Sequence, residues 1–182
     1  DHGRAKPACC LWFAIDYDGR AFAYREYYPI GADVDEIAKE INRLSKGETY
    51  EWSVADPAIF AKMGMVDAYG GQTIAESFSR NGINFYPASN RRIDGWAIMH
   101  QYLRWDEKHE PRMVFFENCH NAIRTIPALI YDENKAEDVD SDGEDHAGDS
   151  VRYFLMTLHE GISQKPKTEI ERKFEEMKRM EE

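Results

Sequence analysis

Five residues combine a reactive type with a telling position: Asp1, Asp56, Asp145, His146 and Asp149. Asp1 precedes the first apolar run, and Gly3 lets the backbone pass close to whatever that carboxylate binds. Asp56 closes a short apolar stretch, residues 52–55, and Pro57 stops the strand there. A carboxylate just beyond a strand end in an open α/β sheet lies where ligands usually bind. Asp149 follows His146 by three residues and Asp145 by four, so on a helix the three share a face. Taken singly, each has an ordinary reading: a turn residue for Asp1, a helix-start cap for Asp56 and Asp145, a solvated helix position for Asp149. Brought together, carboxylates repel one another and need a cation to stay ionised. Oxygen donors favour magnesium or manganese. Two such ions roughly 4 Å apart can clamp a phosphodiester, one activating water and the other stabilising the leaving 3′ oxygen.

The elements that must position these residues are legible as pattern. Residues 8–28 read as a hairpin: apolar Cys9 to Ile15, a turn at Asp16-Tyr17-Asp18-Gly19, then aromatic-rich Ala21 to Tyr28. Asp33 caps a helix whose apolar positions Val34, Ile37, Ala38, Ile41 and Leu44 follow the 3.6 period. Trp52 to Ala55 is a short strand, Thr73 caps a helix through Phe78, and Ile83 to Tyr86 is another strand. The spacing predicts a helix over 94–105, a strand over 112–116, a short helix over 118–126 and a helix from Asp145 or His146 through Leu158. Early hairpin strands followed by alternating α and β units predict an α/β fold: a mixed sheet with helices on both faces. Residues 1–160 form one domain on this reading. Residues 161–182 form a charged tail whose Ile170, Phe174 and Met177 fall on one helical face.

A net charge of −11 argues at first against a nucleic-acid partner. Nine acids and a single base, however, fall between Asp132 and Asp149, and outside that window 25 acids face 22 bases. The excess is therefore one segment, either a solvated loop or a cation site. Bound metals would invert its sign, so the charge becomes a consequence of the chemistry. The 42% apolar fraction excludes a disordered chain, and no run reaches transmembrane length. Cys9, Cys10 and Cys119 lack zinc spacing and read as small buried thiols of a reducing compartment.

The run Glu137-Asp-Val-Asp-Ser-Asp-Gly-Glu-Asp-His-Ala-Gly-Asp149-Ser-Val-Arg-Tyr153 resembles the last motif of the nuclease domain of tailed-bacteriophage large terminase subunits. Asp1-His-Gly3 with Pro7 resembles that family's opening motif, Val54-Ala-Asp56-Pro57 its second acidic motif, and Arg112 to Leu129 the segment between. The motifs occur in the family's order over residues 1 to about 158. The resemblance implies an RNase H-like fold and a Mg²⁺- or Mn²⁺-dependent endonuclease, with two ions, that cleaves concatemeric viral double-stranded DNA during genome packaging. It makes Asp1, Asp56 and Asp149 the metal ligands and Asp145 and His146 accessory catalytic groups. Arg4, Lys6, Arg91, Arg92, Arg124 and Arg152 are the candidates to hold DNA phosphates. The implied partners are double-stranded DNA, an ATPase domain, the portal protein and the small terminase subunit, in the host cytoplasm of a phage or prophage and with no membrane. No GxxxxGK[ST] phosphate loop occurs here, so ATP hydrolysis is expected on an upstream portion of the protein.

Two rivals remain. Asp138-x-Asp140-x-Asp142-Gly143 places acids at loop positions 1, 3 and 5, glycine at 6 and Asp149 at 12, close to a calcium-binding EF-hand loop. Aspartate at position 12 is short for two-oxygen coordination, and no long amphipathic helix ends at Asp138. The other rival is a non-catalytic docking domain of a packaging motor.

Overall fold

The computed structural model describes residues 7–61, 73–133, 135, 137–140 and 143–161. Asp1, Arg4, Lys6, Asp142 and the tail beyond residue 161 lie outside the described residues.

Strands β1 (Cys10–Ile15) and β2 (Ala21–Tyr27) form the expected antiparallel hairpin, with a register shift between Trp12 and Phe13. Its turn is closed by Asp16, whose Oδ1 accepts from the backbone N–H of Asp18 at 3.0 Å and of Arg20 at 2.8 Å. Gly19 takes the positive φ of +75° that the turn requires. Helix α1 (Val34–Leu44) starts on a capping box, in which Glu36 N–H donates to Asp33 Oδ1 and Asp33 N–H to Glu36 Oε2. Strand β3 (Val54–Ala55) runs into a 3₁₀ turn at Pro57–Phe60. Helix α2 (Ile74–Arg80) opens on a second box formed by Thr73 and Glu76. Strand β4 (Tyr86–Pro87), helix α3 (Arg92–Leu103), strand β5 (Met113–Phe115), helix α4 (His120–Thr125) and helix α5 (His146–Glu160) follow.

Strand β5 pairs in parallel with β2, giving the mixed three-stranded order β1-β2-β5, while β3 and β4 form a separate parallel pair. Period-two alternation along β1 sends Cys10 and Trp12 to the core beneath α1 and α2, and Leu11 and Phe13 to the core beneath α3 and α5. Helices therefore cover both faces. The adjacent thiols divide in the same way: Cys10 packs toward α1, and Cys9 beside Ala23 and Cys119. Burial pushes all three thiols up, Cys10 to about 12 and Cys119 to about 11. None is an activated nucleophile.

Helix α5 joins the two sheets. Phe154 stacks on Phe13 of β1 with ring centroids 3.9 Å apart and lies 5.5 Å from Trp52, just before β3. Val151, Leu155 and Met156 are wholly enclosed. The expected strand over Ile83–Tyr86 is displaced. Ile83 instead completes the end of α2, its N–H donating to Phe78 O at 3.0 Å after Gly82 at φ +82°, and pairing begins only at Tyr86. Helix α3 starts at Arg92, two residues before the expected Asp94.

Candidate metal centre

A cavity of about 580 Å³ lies between β1 and β3, with the start of α5 on its wall. Asp56, His146, Asp149, Ser150 and Tyr153 all line it. Two sequence-distant acids thus reach one space because β3 delivers Asp56 and the first turn of α5 delivers Asp149. Ser150 ties that turn to the hairpin: its hydroxyl donates to His146 O at 3.0 Å and lies 3.3 Å from Cys9 O.

Asp56 does hold its ordinary role, with Oδ1 accepting from Ala58 N–H at 2.8 Å to start the 3₁₀ turn. That cap fixes the carboxylate at the strand end. Tyr153 lines the same cavity as the two acids. Its hydroxyl is pushed far up, first by burial, then by the charge of Asp149, with Asp56 adding both its charge and a hydrogen bond. Both carboxylates therefore act on one phenol. The sequence reading did not single Tyr153 out; its position four residues after Asp149 was the available signal.

Asp145 is 7% exposed and makes no cap hydrogen bond to α5, contrary to the capping role open to it from sequence. Burial and then the nearby Asp149 charge push its carboxyl above the usual aspartate range. His146 Nδ1 lies 3.7 Å from Asp145 Oδ1, and its ring faces Tyr28 at 6.4 Å.

The four described arginines expected at phosphates occupy different environments. Arg152 is wholly buried, so as placed it cannot meet DNA; its Nε donates to Asp149 Oδ1 at 3.0 Å. Arg92, expected in a loop, is instead the first residue of α3, half-buried, and bridges Asp138 at 3.0 Å and Asp149 at 3.5 Å. Arg91 turns away to Asp94 and to Glu160 at the far end of α5. Arg124 is exposed near the start of α5 and pairs with Glu144.

Asp138 accepts from Arg92 Nε, Trp96 Nε1 at 3.1 Å and Val139 N–H at 2.8 Å. Burial opposes its ionisation, yet these donors hold it below the ordinary range. A carboxylate committed to α3 in this way is ill placed to serve as the first ligand of a calcium loop.

Among the described residues no three His, Cys, Asp or Glu side chains close into a metal cage. Asp56 and Asp149 both line the cavity, and Asp1, the expected third ligand, lies outside the described residues. The donor set fits a hard divalent cation: it is oxygen-rich, partly shielded from water, and carries an Asp145–Asp149 repulsion that a cation would relieve.

The fold is mixed α/β, with a mixed sheet covered by helices on both faces. It is similar to the large terminase from a thermophilic bacteriophage in complex with ADP, with TM-score 0.69 and 18% identity over 88% of this chain and 39% of that one. The same terminase in complex with ATP-γ-S gives TM-score 0.66 and 18% identity over 85% of this chain and 38% of that one. This chain therefore spans about two fifths of those chains, and at that identity the likeness is one of fold. No protein-family profile and no curated protein matches the sequence. Among the described residues no helix is long and apolar enough to cross a membrane.

Proposed function

We propose that this chain is the nuclease domain of a DNA-packaging terminase, hydrolysing phosphodiester bonds of double-stranded DNA with Mg²⁺ or Mn²⁺ held by Asp56 and Asp149, together with Asp1. One observation carries the reading: Asp56 from β3 and Asp149 from the first turn of α5 line the same cavity. When bound, a divalent metal would supply Lewis-acid stabilisation of negative charge on the phosphoryl oxygens and would acidify water. The chain's own residues do the rest. Asp56 is locked at the strand end by its Ala58 bond, and Asp149 is held by Arg152 and Arg92. Tyr153 stays protonated and can donate to a carboxylate or a phosphate oxygen. His146, beside Asp145 on the cavity wall, is the group placed to exchange a proton with water or a leaving oxygen. Arg124 on the rim is a backbone-phosphate contact by position, and such contacts carry no base preference. The fold likeness to a large terminase supports a packaging role; the portal protein, the small terminase subunit and an ATPase domain are the partners proposed with it, and the host cytoplasm the proposed place of action.

Nicking of supercoiled plasmid in MnCl₂ or MgCl₂ tests the reading. The parent converts plasmid to nicked and linear forms, EDTA stops it, and Asp56→Asn and Asp149→Asn are inactive while retaining the parental circular dichroism spectrum. If both variants cut at the parental rate, the assignment fails.

A further inference from the structure

Arg152 is the largest fully buried side chain among the described residues. Burying a cation is costly unless its charge and its N–H donors are met. Here the charge is met by Asp149 alone on α5, and through one oxygen: Nε donates to Oδ1 at 3.0 Å, and Nη2 lies 3.0 Å from the same atom without the alignment of a hydrogen bond. Arg92 Nη1 approaches that oxygen as well, at 3.5 Å. Oδ2 of Asp149 takes part in none of these contacts. Nη1 and Nη2 have no hydrogen-bond partner among the described residues, so the side chain's own bonding does not explain its placement.

The surroundings make the placement specific. The guanidinium sits 4.4 Å from the Tyr153 ring and 5.5 Å from the Trp96 ring. Its stem crosses α3 at Gly95, where a Cβ would stand 2.3 Å from Arg152 Cγ and 2.7 Å from Cδ. Glycine in a helix interior costs about 1 kcal/mol relative to alanine. That cost is offset here by room for one arginine.

We propose that Arg152, admitted by Gly95, is the positioning residue of Asp149: by occupying Oδ1 it limits this carboxylate to one-oxygen coordination and selects Mg²⁺ or Mn²⁺ over Ca²⁺. The proposal rests on Asp149 being a cation ligand. The selection follows from coordination chemistry. Calcium takes six to eight oxygens and readily accepts two from one carboxylate, whereas magnesium demands a near-octahedral shell of single oxygens. Freeing Oδ1 opens the two-oxygen mode, which favours calcium.

The test is calorimetric titration of the full 182-residue chain with MnCl₂ and, separately, CaCl₂, for the parent, Arg152→Met, Arg152→Lys and Gly95→Ala, each first checked for folding by circular dichroism. Loss of a guanidinium charge alters affinity for both divalent ions alike, so the ratio of the two dissociation constants reads coordination geometry alone. The preference for manganese is expected to fall roughly tenfold in Arg152→Met, the scale seen when a group supporting a ligand is removed. It falls in the same direction in Gly95→Ala, which displaces the arginine stem without altering its charge. A parental ratio in every variant that folds overturns the proposal, whatever happens to melting temperature, because a purely structural arginine moves stability and leaves the ratio fixed. If Arg152→Met does not fold, Arg152→Lys and Gly95→Ala decide. A parent that binds no manganese, or binds it undiminished in Asp149→Asn, overturns the metal-site reading instead.

Discussion

Two acidic neighbourhoods in this chain are built from the same residue types and do opposite things. Glu48 gathers donors: Arg25 at 2.6 and 2.9 Å, Tyr24 at 2.9 Å and Tyr50 at 2.5 Å. Led by Arg25 and then Tyr50, they pull its carboxyl down to about 2. Arg25 also caps the end of α1 through Leu44 O at 2.6 Å and lies over Trp12. At the cavity, acid, arginine and tyrosine meet again, but Asp145 and Asp149 stand close enough to raise the Asp145 carboxyl, and Arg152 leaves donors unused. The Glu48 corner has nothing left to bind, so it is structure. The α5 corner retains a repelling pair of aspartates and unused guanidinium donors beside the cavity, and an unsatisfied arrangement of this kind is what a ligand can use. Residue type alone does not separate the two; the tally of satisfied donors and acceptors does.

The contrast can be broken most severely by activity. Asp149→Asn or Asp56→Asn is expected to slow Mn²⁺-dependent plasmid cleavage at least roughly a thousandfold, since metal stabilisation of transition-state charge is worth several kcal/mol. Glu48→Gln should leave the rate within twofold; a large loss there, read on the same gels, would erase the distinction. Stability is expected to reverse the order. Arg25→Ala should cost about 1–3 kcal/mol by urea denaturation through its charged hydrogen bonds and its cover of Trp12. The pH dependence separates the corners by sign. A carboxyl held near 2 when folded and near 4.5 when unfolded contributes stability fully above pH 4.5 and loses it as pH falls toward 2. Melting curves of Glu48→Gln should therefore show a shallower acid-side decline than the parent. Asp145, shifted upward, costs stability once ionised, so Asp145→Asn should melt slightly higher at pH 7 in EDTA and converge with the parent below about pH 4. Smallest of all, Arg124→Ala should leave the melting temperature unchanged, because its pair with Glu144 is exposed. It should nevertheless lower the salt slope of DNA binding by about one in a filter-binding titration.

Local signals were strong where a short-range rule acts alone. The hairpin, the Asp33 and Thr73 caps and the amphipathic α1 could be read from residue order because turn chemistry and 3.6-residue periodicity need no distant partner. Ile83 was misread as strand because its apolar side chain serves equally well to finish α2, and only the backbone bond to Phe78 separates the two uses. The parallel pairing of β5 with β2 joins residues about 90 apart, beyond any window of periodicity. At the site, Asp56 and Asp149 were picked out by motif, and the cavity joins them. The assignment of Arg152 and Arg92 to phosphates missed their burial, which depends on α3 crossing α5. The clue present in the chain was Gly95, a helix-weakening residue inside an otherwise regular apolar pattern.

Helix α5 has a consequence for biosynthesis. Its fifteen residues are the last described element, yet they carry the aromatic that packs on Phe13 of β1 and against Trp52 beside β3, and the aspartate that shares a cavity with Asp56. A nascent chain that has emerged only as far as Glu144 lacks α5 and with it Phe154, the ring packed on Phe13 of β1 and against Trp52 beside β3. Long-range closure of this kind is slow and comes late in synthesis. The cavity shared by Asp56 and Asp149 is therefore closed in the same step that completes the core.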